Sequence, residues 1–159
     1  MKTKDEKTNV MRILDQKKIK YKSYNYLETG AISGMEVAKA LNENPNLTFK
    51  TLVTVSKTNN HYVYLVPVNK ELDLKKAAKA VNEKNIEMVK SKELLSLTGY
   101  IHGGCSPVGM KKSFKTVIDS SAKNYDKLIF SGGKIGYQVE TTLDELKKVI
   151  DFDLKDITK

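Results

Sequence analysis

Phe49-Lys50-Thr51-Leu52-Val53-Thr54-Val55, the turn Lys57-Thr58-Asn59-Asn60, and His61-Tyr62-Val63-Tyr64-Leu65-Val66-Pro67-Val68 decide the fold. Both runs are rich in β-branched and aromatic residues, and a short polar segment separates them, which predicts an antiparallel hairpin. The second run is apolar almost throughout, so it is expected at the centre of a sheet, with both faces covered. Neighbouring strands joined by a tight turn argue against a doubly wound parallel sheet.

Upstream of the hairpin, Val10, Ile13 and Leu14 recur at helical spacing and predict an amphipathic helix over about Thr8 to Lys18. Tyr21 to Tyr26 alternates like a short strand. Ser33-Gly34-Met35-Glu36 has the spacing of a capping box, and Asn42-Glu43-Asn44-Pro45-Asn46 stops the helix it opens. Downstream, Asp73 is expected to cap a helix whose apolar face is Leu74, Ala77, Ala78 and Val81, and Ser91 a shorter one through Leu95. Ile86 to Val89, Thr116 to Asp119, Leu128 to Ser131 and Tyr137 to Glu140 read as strands. Gly132-Gly133-Lys134-Ile135-Gly136 turns the last two into a second hairpin. Thr142 to Glu145 repeats the capping-box spacing ahead of Leu146, Val149 and Ile150, and the polar tail offers Phe152, Leu154 and Ile157 for docking. The pattern predicts an α/β fold of the α+β kind: a curved, mostly antiparallel mixed β-sheet with helices around it. It is read as one domain over residues 1–159.

The chain is 40% hydrophobic and 30% charged, with a formal net charge of +9. That composition suits a globular protein and excludes a disordered one. The positive excess favours an anionic partner, and nucleic acid is the foremost candidate. One cysteine and two histidines allow no internal disulfide and make a structural zinc site unattractive, so neither metal nor cofactor is expected. There is no apolar run long enough to span a membrane and no signal-like N-terminus; the expected location is the cytoplasm.

Thr98-Gly99-Tyr100-Ile101-His102-Gly103-Gly104-Cys105-Ser106-Pro107-Val108-Gly109 holds four of the nine glycines, one of the three prolines and the only cysteine. Such a loop can aim bare backbone amides at an oxyanion or a phosphate, or simply join two elements. Cys105 with His102 invites a thiol nucleophile and its base, although no third group is identifiable and a lone cysteine is commonly a small buried hydrophobe. Lys50, at the mouth of the first strong strand, can hold a phosphate or a carbonyl oxygen, or lay its stem over apolar neighbours. Tyr26 at a strand end can stack on a base or ribose. Ser131 has no evident base, and Asp119 and Glu140 are single carboxylates at strand ends.

Taken in order, Phe49-Lys50-Thr51-Leu52-Val53, Leu72-Asp73-Leu74-Lys75-Lys76-Ala77-Ala78-Lys79, Thr98-Gly99-Tyr100 with Gly103-Gly104-Cys105-Ser106-Pro107, and Ser131-Gly132-Gly133-Lys134-Ile135-Gly136 resemble the YbaK-type aminoacyl-tRNA editing proteins. These are Cys-tRNA(Pro) deacylases, related to the editing domain inserted in some prolyl-tRNA synthetases. The resemblance runs from about Val10 to Ile157. It implies a curved mixed sheet with surrounding helices and metal-free hydrolysis of the ester joining a wrong amino acid to tRNA. It also implies tRNA as substrate and prolyl-tRNA synthetase as partner. Lys50 matches the family's essential lysine at the 3′-terminal adenosine. Gly103, Gly104, Ser106 and Pro107 match the loop that receives the aminoacyl carbonyl, with Gly103 the member expected to act on the reacting atoms. Tyr26, Thr51 and Ser131 match polar positions of the pocket. At Gln138 the family often has aspartate, and at Cys105 usually an aliphatic residue.

Three functions follow for testing. The first is an editing hydrolase that cleaves Cys-tRNA(Pro) with the substrate's own thiol as nucleophile. The second is a non-catalytic tRNA- or synthetase-binding module of the same fold, kept open by Gln138. The third is a hydrolase with Cys105 as nucleophile.

Overall fold

The computed structural model describes residues 6–159. In chain order it contains α1 (Asn9–Gln16), β1 (Lys22–Asn25), α2 (Gly34–Ala40), β2 (Phe49–Ser56), β3 (His61–Pro67), α3 (Leu74–Ala80), β4 (Ile86–Met88), α4 (Ser91–Thr98), β5 (Lys115–Asp119), β6 (Leu128–Ser131), β7 (Tyr137–Thr141), α5 (Leu143–Lys147) and β8 (Asp153–Lys155). Single 3-10 turns lie at Leu27–Thr29 and Ser120–Asn124.

β2 and β3 form the expected antiparallel hairpin, with Phe49 opposite Pro67 and Val55 opposite His61. β3 is the central strand of a five-stranded sheet ordered β4-β2-β3-β5-β8, flanked by antiparallel β2 and parallel β5. Its continuous apolar run is explained by strand alternation. Val63 and Leu65 face one core, while Tyr64 and Val66 face another that is roofed by Ala77 and Ala78 of α3. The Tyr64 hydroxyl, within that second core, donates to Ala77 O at 2.8 Å.

A second sheet, ordered β1-β7-β6, is antiparallel throughout. The single curved sheet expected from sequence is therefore divided in two. The halves meet at a parallel bridge between Thr48 and Ile129, where Ile129 N–H donates to Leu47 O at 2.9 Å. The first core fills the space between the sheets with Phe49, Val53, Leu128, Phe130, Tyr137 and Val139, closed by Val10 and Leu14 of α1 and Leu146 of α5.

Helix starts largely follow their sequence signals. Thr8 accepts from Met11 N–H, and Asp73 from Lys75 and Lys76 N–H. Ser33 and Glu36 complete both bonds of the capping box. The Thr142 box is only half formed: Thr142 accepts from Glu145 N–H, but the Glu145 carboxylate accepts from Lys20 N–H at 3.0 Å instead. Ser91 is the first helical residue rather than the cap. Lys90 stands at the cap without a side-chain bond, and the helix runs to Thr98, beyond the expected Leu95. The polar tail forms β8 parallel to β5. Ile157 is fully buried, and its N–H donates to Asp119 Oδ1 at 3.1 Å.

Candidate active site

Strand register gathers several of the sequence candidates. In β2, Phe49 and Val53 face the first core, so alternation turns Lys50 to the opposite face. In β6, Leu128 and Phe130 face that core and Ser131 faces away; in β7, Tyr137 and Val139 face it and Gln138 faces away. Ser131 and Gln138 are direct cross-strand partners. The Thr48–Ile129 bridge aligns the sheets, so Lys50 and Ser131 each lie two residues beyond it on the same face. Lys50, Ser131 and Gln138 thus share one surface contributed by three strands. Tyr26 is tied to the turn between β6 and β7, its N–H donating to Gly136 O at 2.8 Å, and its ring is buried.

The glycine loop closes onto the same hairpin. A Cβ built on Gly104 would lie 3.2 Å from Ile135 N and 3.4 Å from Lys134 C, so the two backbones approach as closely as glycine permits. Gly103 has φ 89°, in the left-handed region. The loop is held from within. Thr98 Oγ1 accepts from Tyr100 N–H at 3.0 Å, the Tyr100 hydroxyl donates to Val108 O, and Lys111 N–H donates to Thr98 O at 2.9 Å. Gly104 N–H is spent on Ile101 O at 3.0 Å. Among the described residues, the amides of Gly103 and Cys105 make no such bond.

Electrostatics single out Lys50 and Cys105, for different reasons. Burial holds the half-buried Lys50 ammonium below its usual pKa, and the charge of Glu71 only partly offsets this. Such a lysine is a sparingly hydrated cation suited to an oxygen-rich ligand. Burial pushes the Cys105 thiol up to about 11, against a weaker opposing pull from Thr98. Cys105 is a core residue and His102 is exposed, so the thiol–imidazole pair of the sequence reading is not a nucleophile with its base.

Three loop and strand residues take other places than expected. Thr51 lies beside Phe49 and Val53, on the face opposite Lys50, and its hydroxyl is buried without a partner among the described residues. Ser106 is fully buried, and its Oγ accepts from Val108 N–H at 3.3 Å, so it braces the loop from inside. Pro107 lines a cavity of about 850 Å³ together with Ile13, Phe114 and Phe152, and Lys50 is not part of that lining. The sequence reading missed Glu43, which it took only for part of a helix stop. With its amide nitrogen turned toward Glu43, Gln138 donates to Glu43 Oε2 at 2.6 Å and Oε1 at 3.2 Å. Nothing local in the sequence announces that contact, because it joins residues 43 and 138 across two elements.

Comparison with known proteins fits this arrangement. A family model described as an aminoacyl-tRNA editing domain matches residues 31–149. The chain belongs to that family. The matched span of the editing domain takes in Lys50, the glycine loop, Ser131 and Gln138. An Enterococcus faecalis protein provisionally named Cys-tRNA(Pro)/Cys-tRNA(Cys) deacylase EbsC is 42% identical over 154 residues, 96% of this chain and 94% of its own length. Two solved structures share the fold of this editing domain. One is provisionally described as a trans-editing enzyme for prolyl-tRNA synthetase, with TM-score 0.80, 23% identity and 96% and 98% of the two chains covered. The other, a protein designated APE2540, has TM-score 0.83, 19% identity and 96% and 100% coverage. No helix among the described residues is long and apolar enough to cross a membrane.

Proposed function

We propose that this chain, acting as one editing domain over residues 1–159, removes cysteine from mischarged tRNA, foremost Cys-tRNA(Pro). The carrying observation is the shared face of Lys50, Ser131 and Gln138 with the glycine loop packed against its edge. The name of the 42% identical relative supports the same substrate class.

In this reading Lys50 holds the oxygens of the 3′-terminal adenosine, and the free amides of Gly103 and Cys105 hold the aminoacyl carbonyl. The cysteinyl thiol loses its proton and attacks its own ester carbonyl. A C–S bond forms, the C–O bond to the ribose breaks, and the proton passes to the ribose oxygen. The products are a cyclic thioester and tRNA with a free terminal hydroxyl. Holding the thiol against the carbonyl can supply about 7–11 kcal/mol in the best intramolecular cases. One well-placed amide donor can add about 3–4 kcal/mol. The protein contributes no nucleophile, in keeping with the burial of Cys105. A thiol is a few per cent ionised at neutral pH and an alcohol is not, so serine and alanine esters are spared by chemistry more than by fit.

The domain is small and basic, with a net charge of +9, which suits contact with tRNA phosphates. We infer that prolyl-tRNA synthetase, in the cytoplasm, delivers the tRNA, because selectivity for one tRNA body asks for a partner. The test is a panel of Cys-, Ser- and Ala-charged tRNAs with and without the synthetase. Cys-tRNA(Pro) is expected to decay fastest. Decay of Cys-tRNA(Pro) no faster than in buffer sinks the reading and leaves a non-catalytic binding module.

A further inference from the structure

Glu43 reaches the candidate face from an element that carries none of the residues named for the reaction. Asn42 ends α2 in the left-handed region at φ 54°, and Glu43 N–H donates to Ala38 O at 2.8 Å. That turn turns the Glu43 carboxylate toward β7, where it meets Gln138, which is only 7% exposed. A carboxylate only accepts hydrogen bonds, so the amide nitrogen of Gln138 must face it.

Around this contact the charges are unevenly shared. Glu140, two residues along the same face of β7, is also buried. It accepts from the Tyr24 hydroxyl of β1 at 3.0 Å and pairs with Lys127 at 3.2 Å. The nearby cation is therefore already committed. Burial first, then the charge of Glu140, raise the Glu43 pKa to about 7, against the opposing pulls of Gln138 and Lys127.

We propose that Glu43 is a positioning residue of the editing site, and that its protonation state decides which end of the Gln138 carboxamide faces the substrate. Ionised Glu43 claims Nε2 and leaves Oε1 outward, an acceptor suited to the α-ammonium group of an aminoacyl ester. Protonated Glu43 has an O–H to donate. Oε1 then turns inward to accept it, and Nε2 faces outward as a donor that the ammonium cannot use. The structural coupling stands independently of the deacylase reading, and only the identity of the outward partner rests on that reading.

Two measurements separate these parts. Side-chain 1H–15N NMR of the full chain without substrate, from pH 5 to pH 9, is expected to show the Gln138 amide titrating with a midpoint near 7. The titration vanishes in Glu43→Gln, whose backbone spectrum otherwise overlays that of the wild type. Should Glu43→Gln fold poorly, Glu140→Gln serves instead: removing the like charge and freeing Lys127 moves the midpoint down. A flat Gln138 response, a titration that persists in Glu43→Gln, or an unmoved midpoint in Glu140→Gln overturns the coupling. For the reaction, the kcat/KM ratio between pH 8 and pH 6 is divided by the same ratio for Glu43→Gln, so that the thiolate fraction of the substrate cancels. The quotient is expected to be about tenfold, the worth of one hydrogen bond to a charged group. A quotient of one, with turnover present, overturns the positioning role. Absence of turnover at every pH, with the NMR titration intact, removes the deacylase reading and leaves the coupling standing.

Discussion

Gly104→Ala tests whether the glycine loop works by backbone placement. The new Cβ would sit 3.2 Å from Ile135 N and 3.4 Å from Lys134 C and Cα. These are backbone atoms, and they cannot swing aside as a side chain would. They belong to a turn fixed by Tyr137 N–H donating to Lys134 O at 3.1 Å and Gly132 N–H donating to Tyr137 O at 2.9 Å. The loop must therefore retreat by a few tenths of an ångström, at a packing cost of about 1–2 kcal/mol. A full 1 Å misplacement can cost about a hundredfold in rate, so the smaller shift is expected to lower kcat/KM about tenfold. Gly103→Ala is the control. Its Cβ would meet only the Ile135 side chain, at 3.6 Å and beyond, but its φ of 89° strains any L side chain. It should lose about 1–2 kcal/mol through the dihedral alone. Urea denaturation gives the stabilities, and single-turnover deacylation of Cys-tRNA(Pro) gives the rates. Wild-type rate and stability in Gly104→Ala would refute the idea that this close approach sets the position of the donor amides.

Lys50→Ala should abolish turnover while the affinity for tRNA, measured by filter binding across a salt series, falls only by the worth of one phosphate contact among several; equal losses in both would make Lys50 a mere anchor. Cys105→Ser should leave deacylation intact and cost stability, since a hydroxyl replaces a thiol in the first core; loss of turnover in a folded Cys105→Ser protein would restore the thiol-nucleophile reading. Glu43→Gln should change stability with pH in a set direction. The folded pKa of about 7 lies above the ordinary value of 4.5, so the folded protein binds the extra proton between these values and wild-type stability falls as pH rises through them. With partial exposure screening the charge, the variant should gain about 1–2 kcal/mol over wild type at pH 8 relative to pH 4, read by denaturation at both values; no relative gain would show that Glu43 is not destabilised by its burial.

The sequence made the elements legible because their signals are local. Alternation and turn chemistry marked both hairpins, and the apolar run of His61 to Pro67 announced a strand covered on both faces. Signals that depend on a distant partner were not legible. Glu145 has the spacing of a capping-box glutamate, but Lys20 N–H, 125 residues away, competes for it and wins. The two sheets meet at the Thr48–Ile129 bridge, a contact that no local pattern encodes. The tail is a strand because it pairs with β5, far back in the chain, and Asp119 holds Ile157 N–H just beyond it from 38 residues away.

The same distinction governs the site. Lys50, Gly103 and Ser131 are nameable because motifs carry them, and Gln138 as a departure from the family's aspartate, yet their relation to one another is a matter of register. One step of alternation separates Lys50 from Thr51, and it sends the lysine to the shared face and the threonine to the core side. Likewise the loop motif names Ser106 and Cys105 with as much emphasis as Gly103, although both side chains are buried. The Ser106 and Cys105 side chains are turned into the fold, so what this loop can offer a ligand is its backbone amides. In the proposed reaction such a loop supplies donors and no nucleophile, so the attacking atom comes from the acyl group itself. On that proposal the chemistry of the amino acid on the tRNA, more than the shape of the pocket, decides what is removed.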